Sequence, residues 1–151
     1  MSSFGTITAV LDFAIKREQE AIDFYGSLAG QATNPSLKKV FLSFAKEEQG
    51  HKEKLLAVKS NKSILVDKTE VADLKISDYL VSVDPQNVMS FQDALVVAIK
   101  REKAAMELYT VMSKRVEDPA LRDLFKKLAH EESAHKTRFE TMYEEHFLPE
   151  N

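Results

Sequence analysis

The sequence falls on itself at an offset of 84 positions, and that repeat limits the architectures open to it. Ala-Ile-Lys-Arg-Glu at 14–18 recurs at 98–102. Tyr25 meets Tyr109, Pro35 meets Pro119, Leu37 meets Leu121, Phe41 meets Phe125 and Ala45 meets Ala129. Glu47, Glu48, His51 and Lys52 meet Glu131, Glu132, His135 and Lys136, and no gap is needed. The period is too long for a solenoid of stacked short units. It predicts two copies of a helical hairpin.

Hydrophobic spacing supports helices. One stripe reads Ile7, Leu11, Ala14, Glu18, Ala21, Tyr25, Leu28, and a second reads Leu37, Phe41, Phe44, Glu48, His51, Leu55, Val58. A third reads Phe91, Leu95, Ala98, Glu102, Ala105, Tyr109, Met112, Val116, and a fourth Leu121, Phe125, Leu128, Glu132, His135, Phe139, Met142. Steps of four and three alternate, as in helices packed nearly parallel in a bundle. Gly and Pro are scarce, four each, which suits long helices.

Start signals agree with the stripes. Asn34-Pro35 and Asp118-Pro119 each offer an N-cap followed by proline at the first helical position. Ser90 with Asp93 has the form of a capping box. The predicted helices run 6–32, 35–59, 90–116 and 119–146. The expected fold is all-α: an antiparallel four-helix bundle of two repeated hairpins. Residues 60–89 form a long crossover between helices two and three, with a short helix expected in VADLKISDYL; a flexible interdomain linker is the other reading, disfavoured because each hairpin alone would expose its seam. The whole of 1–151 is read as one domain.

Composition excludes several classes of function. There is no Cys, hence no disulfide, no thiolate nucleophile and no Cys-ligated metal. A net charge of −3 gives no reason to expect nucleic acid or an anionic membrane as partner. The N-terminal MSSFGTITAV lacks the form of a secretory signal, and no apolar run reaches transmembrane length. A cytoplasmic location is the expectation.

Each stripe is apolar except at its middle. There stand Glu18, Glu48 with His51, Glu102, and Glu132 with His135. Glu and His at i and i+3 share a helical face, so all six point into the bundle at similar height. Four carboxylates buried together without compensation would be prohibitive. Two divalent cations remove the difficulty, and two neutral imidazoles complete the coordination. This donor mix suits iron or manganese, with zinc as a further alternative.

The pattern resembles the ferritin-like di-iron or di-manganese carboxylate proteins, in which two helices give one Glu each and two give Glu-x-x-His. Within that group it is most similar to the rubrerythrin di-iron domain, on the spacings Glu18…Tyr25 and Glu102…Tyr109 and the paired Glu-Glu-x-x-His. The resemblance implies a centre of two Fe ions held by Glu18, Glu48, His51, Glu102, Glu132 and His135. It implies peroxide or dioxygen chemistry there, with H2O2 or O2 as oxidant and an external electron donor. Tyr25 and Tyr109 would hydrogen-bond ligand carboxylates; as residues alone, they read equally as core aromatics.

The sequence departs from rubrerythrins in two ways. A Cys-rich rubredoxin-like domain is absent. Ala105 stands where rubrerythrins carry a further Glu, which weakens the expectation of peroxidase activity. The six ligands equally resemble a bacterioferritin ferroxidase centre, but no fifth helix follows, which argues against a ferritin cage.

The leading expectation is therefore a non-haem di-iron oxidoreductase of the oxidative-stress type. A ferroxidase that oxidises Fe2+ is the alternative, and a bundle merely stabilised by metal is the third reading. No haem is expected, since the Met residues suit a core. A homodimer is expected, with exchanged hairpins as one way to build it. Glu47 and Glu131 point about 100° away from their neighbouring ligands and read as solvated, or at most as supports to the ligands. His130 and His146 lie off the stripe or at its end. Ala14, Ala21, Ala98 and Ala105 read first as letting helices approach, and second as room for a small oxidant. Lys16-Arg17 and Lys100-Arg101 read first as solvated faces, with pairing to acidic neighbours or attraction of an anionic partner as the other readings.

Overall fold

Four side-chain caps set where the helices begin. In the computed structural model, which describes residues 3–61, 71–81 and 90–148, α1 spans Ile7–Gln31 and α2 Pro35–Ser60. Helix α3 spans Phe91–Arg115 and α4 Pro119–Phe147. Thr6 Oγ1 accepts from the Ala9 N–H at 3.1 Å, and Ser90 Oγ accepts from the Asp93 N–H at 3.1 Å. Asn34 Oδ1 accepts from Ser36 at 2.8 Å, and Asp118 Oδ1 accepts from Leu121 at 2.9 Å. Each satisfies a donor that the first helical turn leaves without a partner. Pro35 and Pro119 open their helices, where a missing N–H costs nothing.

The segment VADLKISDYL holds the expected short helix only in its second half, as a 3-10 turn. Val71–Lys75 is a strand, β2, and pairs antiparallel with β1, Ser3–Gly5, with a register irregularity between Ser3 and Gly5. A single 3-10 turn, Ile76–Tyr79, follows. Val71, Leu74 and Tyr79 are buried, so this segment is part of the core. Residues 62–70 and 82–89 of the expected crossover lie outside the described residues.

Packing resolves into two apolar clusters. The first joins the start of α1 (Val10, Leu11), the end of α2 (Leu55), the end of α3 (Met112) and the start of α4 (Leu121, Phe125). The second joins the opposite ends: Tyr25, Phe41, Phe44, Leu95 and Phe139. Helices α1 and α3 therefore run antiparallel, as do α2 and α4. Because α2 ends in the first cluster and α3 begins in the second, the connection between them must span the bundle's length. The arrangement has an approximate two-fold axis perpendicular to the helices, as the sequence repeat requires. Among the described residues, no helix is long and apolar enough to cross a membrane.

Candidate metal centre

Between the two apolar clusters lies a polar layer. Glu18, Glu48, His51, Glu102, Glu132 and His135 are each at most 4% exposed. The six residues that the stripes single out are the six that the fold brings together. Their donor atoms form two groups, each lying within 4.8 Å of one another: Glu18, Glu48, His51, Glu132 and Glu48, Glu102, Glu132, His135. Glu48 and Glu132 belong to both groups. The two-fold arrangement thus gives two equivalent positions, each with a private Glu and His and a shared pair of carboxylates.

The orientation of the histidines follows from residues that single-helix reasoning places outside. His51 Nε2 lies 2.5 Å from Glu131 Oε2, and His135 Nε2 lies 2.5 Å from Glu47 Oε2. Each Glu thus holds the opposite hairpin's histidine, turning Nδ1 inward. His51 Nδ1 then lies 3.1 Å from Glu132 Oε1, and His135 Nδ1 2.8 Å from Glu48 Oε1. Close as they are, neither contact has the alignment of a hydrogen bond, since both Nδ1 atoms remain without a partner. The imidazole rings stack with centroids 6.0 Å apart. Glu47 and Glu131 are supports to the histidines, the second of the two readings, while the Glu47 side chain also stays exposed.

The tyrosines cross the pseudo-axis in the same way. Tyr109 donates to Glu18 Oε1 at 2.7 Å, and Tyr25 donates to Glu102 Oε1. Each fixes one carboxylate oxygen and leaves the other inward.

Electrostatics show why the layer needs something more. Burial, then the Glu48 charge, pushes the Glu18 carboxyl well above its ordinary value. Burial, then Glu132 and Glu48, does the same for Glu102. Burial would lower both histidines, but surrounding carboxylates outweigh it and raise them. Without a further positive charge, the layer is stable only when it retains protons. Burial, then Glu102 and Glu18 respectively, raises Tyr25 and Tyr109, so both phenols stay neutral donors.

The donor set fits two metal ions. Glu18 Oε2, Glu48 Oε1, His51 Nδ1, Glu102 Oε2, Glu132 Oε1 and His135 Nδ1 are all buried with no hydrogen-bond partner. A buried polar atom left unsatisfied costs roughly 1–3 kcal/mol, so six aimed at one space call for a ligand. Two divalent cations would balance the four carboxylates, and the supported imidazoles match the usual carboxylate–histidine–metal arrangement.

A pocket opens over this layer between α1 and α3, with Glu18, Glu48, Glu102 and Glu132 at its floor. Ala14, Ala21 and Ala105 line it, so these small side chains leave space as well as letting helices approach. Arg17 and Arg101 also line it and are mostly covered, with 24% and 19% of their side chains exposed. The expectation of a solvated face does not hold for these two residues.

A ferritin-like bundle with a buried carboxylate–histidine layer defines the class. The rubrerythrin family model matches residues 9–80 and 93–151, and the chain belongs to the rubrerythrin family. Among solved structures, it is similar to a putative ferritin-like diiron-carboxylate protein from Thermotoga maritima. That likeness covers 96% of this chain and 99% of the other at 22% identity, with a TM-score of 0.79. It is also similar to a hypothetical protein from Pyrococcus furiosus, at 25% identity, 89% and 86% coverage and a TM-score of 0.70. A conserved hypothetical protein from Mycobacterium tuberculosis shares the fold at 16% identity, 89% and 88% coverage and a TM-score of 0.67. A search of curated proteins gives no match.

Proposed function

We propose that the chain is a non-haem di-iron oxidoreductase that reduces peroxide or dioxygen with electrons from an external donor. One observation carries the reading: six buried donor atoms converge from four helices and find no partner in the protein. Glu18 and His51 would hold one metal, Glu102 and His135 the other, and Glu48 and Glu132 would be shared. Iron in these positions supplies one electron from each ion, which matches the two electrons needed to reduce a peroxide.

The chain's own residues do the rest. Glu131 and Glu47 hold the Nε2 proton of His51 and His135, so Nδ1 is free to bind. Tyr109 and Tyr25 each keep one carboxylate oxygen engaged, which limits how Glu18 and Glu102 swing. Phe44, Leu128 and their neighbours close the layer above and below, which strengthens every charge interaction inside it. Ala21 and Ala105 leave the α1–α3 side open to a molecule of oxidant size.

The test is an anaerobic Fe2+ titration of the chelator-treated protein, with bound metal counted by elemental analysis. Saturation near two irons per chain is expected from the two donor groups. Glu48→Ala removes a shared carboxylate and should weaken both positions. Stopped-flow mixing with H2O2 or O2 then reads turnover. Iron retained over repeated cycles supports the oxidoreductase; release of ferric product would make Fe2+ the substrate instead. Absence of saturable binding would defeat the assignment.

A further inference from the structure

The mouth of the α1–α3 pocket holds charge that the metal centre does not use. Arg17 and Arg101, repeat mates, both reach the single carboxylate of Glu20. Arg17 Nη2 lies 2.9 Å from Oε1, and Arg101 Nη1 lies 3.6 Å from Oε2. Each guanidinium also lies over a ring, Arg17 4.9 Å from the Phe13 centroid and Arg101 5.3 Å from that of Phe24. These cation–ring contacts help hold the guanidinium groups in place. The Nε atom of each is buried, and no described residue accepts a hydrogen bond from it. Among the described residues, two cations therefore share one anion, with donors to spare, at the edge of an apolar-walled pocket.

The repeat shows which group is missing. Position 104 is the mate of Glu20, and it is alanine. A Glu there would sit three residues after Arg101, as Glu20 sits three residues after Arg17. Ala104 instead lines the pocket and leaves that space open. The geometry points to a binding site for a small monocarboxylate, whose carboxylate takes the place of the second glutamate. A planar carboxylate suits a guanidinium fork, and charge-assisted bonds of this kind are among the stronger ones. Its short apolar part would lie against Phe13, Leu108 and Ala105, towards the carboxylate floor. Such a ligand would occupy the open side of the metal centre and so govern what reaches it. The two guanidinium groups that would bind the carboxylate are not among the six central residues, four of which only floor the pocket, so the site does not rest on the identity of the metal or the oxidant.

The experiment is a butyrate titration of the 15N-labelled chain loaded with diamagnetic zinc, following the arginine Nε–H resonances by NMR. Saturable shifts of the Arg17 and Arg101 signals are expected. Arg101→Gln should weaken the affinity at least about tenfold, the loss of one charge-assisted pair. Ala104→Glu should abolish binding by supplying the carboxylate internally, and Glu20→Gln should tighten it by freeing both cations. Glutamate is a good helix former, and thermal melting checks that Ala104→Glu still folds. Unmoved Nε–H signals would overturn the proposal. So would an affinity unchanged in Ala104→Glu and Arg101→Gln, since butyrate would then sit on the metals or elsewhere. Elemental analysis of the zinc reports separately on the dimetal reading. If zinc does not load, the same titration on the metal-free chain still supports or overturns the carboxylate site by the same signals.

Discussion

The six central residues can be read from the chain because each breaks an otherwise apolar stripe at a position its repeat mate also breaks. Glu47 and Glu131 could not be read this way. A helix considered alone turns them about 100° from the ligands; only the crossing of α2 and α4 brings each beside the other hairpin's histidine. Their one signal in the sequence is that they, too, recur at the repeat offset. The contacts have a measurable consequence. Replacing a group that orients a metal-bound histidine typically costs about 10–100-fold in metal affinity. Glu131→Ala and Glu47→Ala should each show a loss of that size in a competitive chelator titration, with stoichiometry kept. Variants that bind as tightly as the parent would show the contacts to be incidental. Tyr109→Phe strips Glu18 Oε1 of its donor at 2.7 Å. The metal-free protein should lose roughly 1–3 kcal/mol in urea unfolding, since a buried carboxylate oxygen is left unsatisfied.

Helix ends were legible because their chemistry is local. Asn34-Pro35 and Asp118-Pro119 open α2 and α4 where the sequence places them. The ladder of β1 and β2 was not legible. Three residues, Ser3–Gly5, are too few for an alternating pattern to stand out. The strand exists because Val71 and Leu74 bury against the first apolar cluster, a contact distant in sequence. Caps and centre should also be separable in energy. Asp118→Ala removes the acceptor for the Leu121 N–H and should cost about 1 kcal/mol of stability. Metal stoichiometry should be unchanged, because the cap lies at the end of the bundle and the centre at its middle. A loss of metal in this variant would mean that helix position is coupled to the site along the whole length of α4.

For the whole molecule, the two apolar clusters hold a polar layer in place at a cost that depends on pH. Glu18 and Glu102 have raised carboxyl values in the folded chain, through burial first and neighbouring carboxylates second. Above the ordinary value of 4.5 the unfolded chain releases those protons while the folded chain keeps them. The folded state then binds more protons than the unfolded, so stability falls as pH rises. His51 and His135 act in the same direction. Their folded values are raised by the carboxylates facing them, so their contribution is complete below 6.5 and is lost as pH climbs above it. Each retained proton lowers stability by up to about 1.4 kcal/mol per pH unit. Bound metal reverses the slope, because it requires the carboxylates ionised and the imidazoles neutral. Melting temperatures of chelator-treated protein should therefore fall between about pH 5 and pH 8, over the window these shifts define. The gain on adding Zn2+ or Fe2+ should widen across the same range. A chelator-treated protein whose stability rose over that interval would mean that the layer does not hold its protons, and the electrostatic case for a metal would lose its basis.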